Sequence, residues 1–248
     1  MSRTTAPKAP RSLPLTLRWS DALRPVPVRT VRPPTGARPV GLEAPPWLDT
    51  GDPDQPFDFT ARLHGLCADI AARCPDFAHL DVSRLLIGFT QARNGFAHGL
   101  QARVTPLRFR DGRLVRRCGG TTYQVQRYFV NGREMLYLVT FCLPRFLDQS
   151  FDDKFITLFH ELYHISPAFE GDLRRHPGRC ALHTHSKRAY DAQMGAMARE
   201  YLASGADPRL HAFLRLTFAQ LHHRHQRVVG VVVPRPRLLP IQIAARAD

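Results

Sequence analysis

The stretch that most constrains this chain is Ser150–Pro167, SFDDKFITLFHELYHISP. Ser150 followed three residues later by Asp153 resembles a capping box and places a carboxylate where the helix dipole favours it. Pro167 supplies no amide donor and disfavours helical geometry at Ser166, so the spacing predicts one helix ending there. At about 100° per residue, Phe151, Phe155, Leu158, Phe159, Leu162 and Ile165 share a broad apolar face. Asp153, Thr157, His160, Glu161 and His164 occupy the opposite arc. A surface helix with solvated histidines would carry such groups by accident. A metal site requires them: imidazoles at i and i+4 stand one above the other, close enough to share one ion. Glu161 lies slightly round the helix, poorly placed as a third ligand but able to reach a water beside that ion. Zinc brings the pKa of such a water toward neutrality, and a nearby carboxylate can take its proton.

The remaining elements are read from periodicity and turn chemistry. Residues 1–56 hold twelve of the twenty-one prolines with interleaved arginines, which predicts a disordered Pro/Arg-rich leader. Trp19 and Trp47 sit in it as possible docking points. From Asp58, Phe59, Leu63, Leu66, Cys67, Ile70 and Cys74 recur at helical spacing before Pro75. Cys67 and Cys74 then pack in the core rather than bind metal. Strand signals follow at 83–90 and 98–109, where Pro106 marks an edge or an interruption. Segments 122–130 and 133–142, joined by Asn131-Gly132, read as a hairpin with a type I′ turn. Further helices are expected at 186–202 and 208–222, the first with Tyr190, Met194, Met197 and Tyr201 as a core stripe. Residues 228–243 form a short strand-like run and a proline-broken tail. His222, His223 and His225 read as a solvated cluster at a helix end. The expected class is α+β, with the domain at 57–240 and a tail at 241–248.

Bulk properties narrow the setting. No apolar run approaches the ~20 residues that span a bilayer. The basic N-terminus lacks the apolar segment of a secretory signal. Five scattered cysteines without a CxxC argue for reduced thiols, hence a cytoplasmic protein. The net charge is +14, and residues 57–248 hold 27 Lys or Arg against 16 Asp or Glu, so most of the excess lies outside the leader. Nucleic acid is one partner that such a charge fits; an arginine-rich surface composition accounts for it equally well.

The order helix, antiparallel sheet of three to four strands, HExxH helix, histidine-bearing loop, two further helices resembles a minimal zincin core. In detail HGLQARVTPLRF (98–109), GREMLYLVTFCLPRFL (132–147) and FHELYHISPAFEGDLRRHPGRC (159–180) resemble SprT-like zinc metallopeptidases and the related metallopeptidase group of bacteria and phage. The resemblance covers residues 57–240. It implies hydrolysis of protein or peptide substrates with one Zn²⁺ on His160 and His164, and Glu161 as general base. A catalytic zinc usually takes a third protein ligand. His176 leads, matching the histidine after Gly-x-Leu-Arg in the phage-type pattern; His185 and then His183 are the alternatives, placed just before the next helix as in SprT-like proteins. Glu170 falls where metzincins carry their third histidine, without the glycine that pattern requires.

Arg174 or Arg175 could stabilise an oxyanion, and Asp191 could orient a ligand imidazole. The 99–104 segment, as an edge strand, could accept an extended peptide. Two other classes stay open: a non-catalytic zinc-stabilised module binding nucleic acid or a protein partner, and a metal-dependent hydrolase of another substrate.

Overall fold

A computed structural model describes residues 13–33, 43–92, 98–175 and 187–241. The chain begins with three short strands, β1 (Thr16–Trp19), β2 (Val28–Thr30) and β3 (Phe57–Asp58), followed by helix α1 (Phe59–Arg73). Next come β4 (Leu85–Gln91), β5 (Ala102–Pro106), β6 (Val115–Cys118), β7 (Thr121–Val125), β8 (Arg127–Val130), β9 (Arg133–Met135) and β10 (Tyr137–Leu143). Helices α2 (Phe151–Tyr163), α3 (Lys187–Ala203), α4 (Pro208–His211) and α5 (Phe218–His225) follow, then β11 (Val228–Val231) and β12 (Leu238–Ile241). The class is α+β, as expected.

The sheet that matters for the site has the order β4-β10-β5. Its central strand β10, YLVTFCL, is apolar almost throughout because both of its faces are covered. Tyr137, Val139, Phe141 and Leu143 join Leu85, Ile87 and Phe89 in the main core beneath the helices. Leu138 and Leu86 point the other way, into a second cluster with Trp19, Tyr128 and Met135. The sheet is mixed, not antiparallel as the sequence suggested: β10 runs parallel to β4 and antiparallel to β5. Parallel neighbours need a long crossover, and the whole of β5 to β9 supplies it.

That topology also dissolves most of the expected hairpin. The type I′ turn is present, with Asn131 and Gly132 both at positive φ, but it joins only β8 to β9. The flanks pair elsewhere, β7 with β6 and β12, and β10 with β4 and β5. The expected helix at 208–222 is likewise divided into α4, a 3₁₀ turn (Ala212–Arg215) and α5. Thr217 causes the break: with Gln220 it forms a complete capping box, which starts a new helix.

Part of the segment read as a disordered leader is structured. β1 lies parallel to β8, with Trp19 buried edge-on against Tyr128 at 5.3 Å. β2 pairs with β11. Arg224 on α5 clamps the chain at 44–48 through the carbonyls of Ala44, Pro45 and Leu48. His225 is buried rather than solvated, its Nε2 2.9 Å from Thr50 Oγ1 and its Nδ1 near the carbonyls of Asp52 and Gln55. Proline spacing rules out local periodicity, but a three-residue strand needs only a distant partner. Trp47, by contrast, is 80% exposed.

Helix α2 starts as its sequence predicts but stops at Tyr163, short of the expected end before Pro167, because Ile165 leaves the helix to bridge Leu173. Ser150 caps it by accepting from Asp153 N at 3.1 Å. Phe155, Leu158, Phe159 and Leu162 are buried in the main core. Lys154 breaks the pattern: only 1% exposed, its Nζ donates to the carbonyls of Leu214 (2.9 Å) and Leu216 (2.7 Å). Burial pushes this ammonium down to about 8, with Asp148 opposing. Since the unfolded chain holds the proton more tightly, stability rises with pH between about 8 and the ordinary 10.5. Urea unfolding of Lys154→Met should lack that rise, a difference of roughly 2 kcal/mol across the window. Parallel pH profiles for the two proteins would refute it.

Candidate active site

Helix α2 ends at Tyr163, and His164 is its C-cap with helical dihedrals, so the two histidines remain one turn apart. Their Nε2 atoms lie 3.0 Å from each other, with the rings at 80°. Lone pairs meeting at that distance suit a shared proton or a shared cation. Two nitrogens on one tetrahedral zinc, each at ~2.0–2.1 Å, stand about 3.3 Å apart. The pair could therefore hold such an ion with little movement.

Glu161 projects from the same helix toward β5, where its Oε2 accepts from Val104 N at 2.6 Å. Burial pushes its carboxyl up to about 7, against the pull of that amide and of the Arg103 guanidinium. β5 is an edge strand, so the expectation for Pro106 holds. Val104 N–H is turned away from β10, because antiparallel pairing alternates the inward and outward groups. Ala102 shares that outward row.

Helix α3 closes the other side. Asp191 Oδ1 is 3.9 Å from His160 Nδ1. The Tyr190 ring stands edge-on to His160 at 4.8 Å and nearly parallel to His164 at 6.0 Å. Tyr190 is buried as the stripe reading required, but it also walls the histidine pair. Its spacing on α3 signals only a core position; nothing local tells which neighbour it meets.

After α2 the chain doubles back in a pinned turn. Tyr137 Oη donates to Asp172 O at 2.7 Å and accepts from Gly171 N at 3.0 Å. Ile165 bridges Leu173, and Arg174 N donates to His164 O at 2.7 Å. The chain thus returns to the C-terminal end of α2. The Arg174 guanidinium stacks over the Tyr163 ring at 4.0 Å, and Arg175 is bound to both Asp172 oxygens at 3.2 Å. Glu170 accepts from Ser166 Oγ at 2.7 Å. The structure brings His160 and His164 together with Asp191 beside His160, while Glu161, on the same helix, is turned to Val104 of β5. His176, His183 and His185 lie outside the described residues, so the third-ligand expectation does too. Among the described residues no group of three His, Cys, Asp or Glu side chains forms a candidate metal set. None of the described helices is long and apolar enough to cross a membrane.

No protein-family model matches the chain, and no curated protein or solved structure compared with it gives a match.

Proposed function

We propose that the chain is a zinc-dependent metallopeptidase with a minimal zincin-like core of the SprT-like kind, acting on protein or peptide substrates. The carrying observation is the convergence of His160 Nε2 and His164 Nε2 at 3.0 Å, with Glu161 of the same helix hydrogen-bonded to the edge strand at Val104 N. His160, His164 and a third histidine would hold one Zn²⁺. His176 remains the leading third ligand, with His185 and His183 as alternatives. Chain reach supports it: Arg174 is bonded to His164 O, and two further residues extend at most about 7 Å. When bound, zinc supplies Lewis acidity and a water acidified toward neutrality.

The chain's own residues do the rest. Glu161 takes a proton from the attacking water and returns it to the leaving amine nitrogen. Ala102 and Val104 offer outward backbone groups to an extended peptide, which adds to β5 as a further strand. A substrate carbonyl competes with Glu161 for Val104 N–H, and docking thereby frees the carboxylate for proton transfer. Asp191 orients His160 by accepting from Nδ1 as the ring engages its ligand.

The test is metal content. Purified chain should retain one zinc, and His160→Ala or His164→Ala should lose it; a zinc-free wild type, with no affinity for added zinc, sinks the reading. Single alanine substitutions at His176, His185 and His183 identify the third ligand by the same measurement. Asp191→Asn should weaken zinc binding by roughly 10–100-fold in a chelator competition. Unaltered affinity would remove Asp191 from the site.

A further inference from the structure

The sheet ordered β12-β7-β6 has no evident structural duty. Every residue of β6 is exposed, and Val125 is the only buried residue in the three strands. A three-stranded sheet ordinarily buries at least one face. Its charge is of one sign. Residues 112–133 contain Arg113, Arg116, Arg117, Arg127 and Arg133 without an Asp or Glu, and residues 208–247 contain no Asp or Glu either. Arg127 is paired with Glu134. Among the described residues, no salt bridge involves Arg116, Arg117, Arg235 or Arg237. A charged residue or two would blunt an edge strand. An uncompensated set repels itself and so points to an external anion.

We infer that this sheet docks the phosphate backbone of a nucleic-acid duplex. Register places Arg117 opposite Thr122, and Thr122 opposite Ile241. Arg237 is four residues before Ile241, so the backbone positions of Arg117 and Arg237 are set about 13 Å apart along the strands and about 10 Å across them. A duplex presents one charge per ~1.7 Å of axis, so such a span meets several phosphates, whereas a small anion would meet one arginine. Tyr123 is the sheet's one aromatic side chain, too few for the stacking platforms that hold single strands. Recognition is then electrostatic and tolerant of sequence.

Fluorescence anisotropy of the full chain with a labelled duplex of about 25 base pairs tests this across roughly 50–200 mM salt. The plot of log K against log salt should be linear with a slope near −4. Arg116→Ala, Arg117→Ala, Arg235→Ala and Arg237→Ala together should remove about three units of slope and at least tenfold in affinity, whereas lysine at all four positions should preserve both. The smaller pair Arg117→Ala and Arg237→Ala, which the register sets on one face of the sheet, should remove about two units. Arg209→Ala, away from the sheet, should change nothing. A flat salt response, an unchanged slope in the quadruple alanine variant, or tighter binding to a single strand or to phosphatidylserine vesicles would overturn the assignment.

Discussion

Glu161→Gln should reduce peptide hydrolysis by roughly 10²–10⁴-fold, the usual contribution of a positioned general base. The amide has nearly the carboxylate's shape but cannot take a proton from water. Zinc content should stay at the wild-type level, because Glu161 is not counted among the ligands. Its contact with Val104 N survives in weaker form through the amide oxygen. The pairing of results is what discriminates. Lost cleavage with retained zinc supports the base. Retained zinc with no cleavage by either protein, on casein and on unfolded substrates alike, would instead favour a zinc-stabilised binding module. Full activity in the variant would remove Glu161 from the chemistry.

Phe159→Ala should cost about 3–5 kcal/mol of stability, read as a shift in the urea midpoint with little change in slope. The ring is fully buried, edge-on to Phe77 at 5.1 Å and about 6 Å from Phe155 and Tyr201. Its neighbours come from three separate elements, so none can collapse into the hole without dragging its backbone. A loss of that size is a large share of a typical domain's stability. Because Phe159 precedes His160, zinc retention should weaken in parallel. A cost below about 1 kcal/mol would mean that α2 is not seated on the sheet as described.

The legibility of the fold follows the range of its interactions. Helix α1 was readable because Asp58 caps it and five apolar residues repeat at helical spacing before Pro75. Helix α2 was readable for the same reason, and its site residues came with it. The parallel pairing of β4 with β10 was not readable. Each strand is an apolar run whose partner is about fifty residues away, and the Asn131-Gly132 turn offered a nearer, plausible mate. The pairing of Thr16–Trp19 with β8 was hidden in proline-rich sequence that has no period of its own. Lys154 looked like a surface residue, since only the carbonyls of Leu214 and Leu216 make its burial tolerable.

The same division runs through the site. Helical geometry alone stacks His160 over His164 and keeps Glu161 off the apolar face, so sequence determined that trio and, with it, the kind of chemistry to seek. Its surroundings were settled only in three dimensions. Val104 meets Glu161, Tyr190 and Asp191 flank the histidines, and Arg174 is carried back to His164 by a turn pinned on Tyr137. Those contacts join residues from separate elements, and no spacing rule along a chain encodes which helix face will meet which strand edge. Packing makes that choice, because burying the apolar faces of α2, α3 and the central sheet together leaves one arrangement in which their polar groups converge.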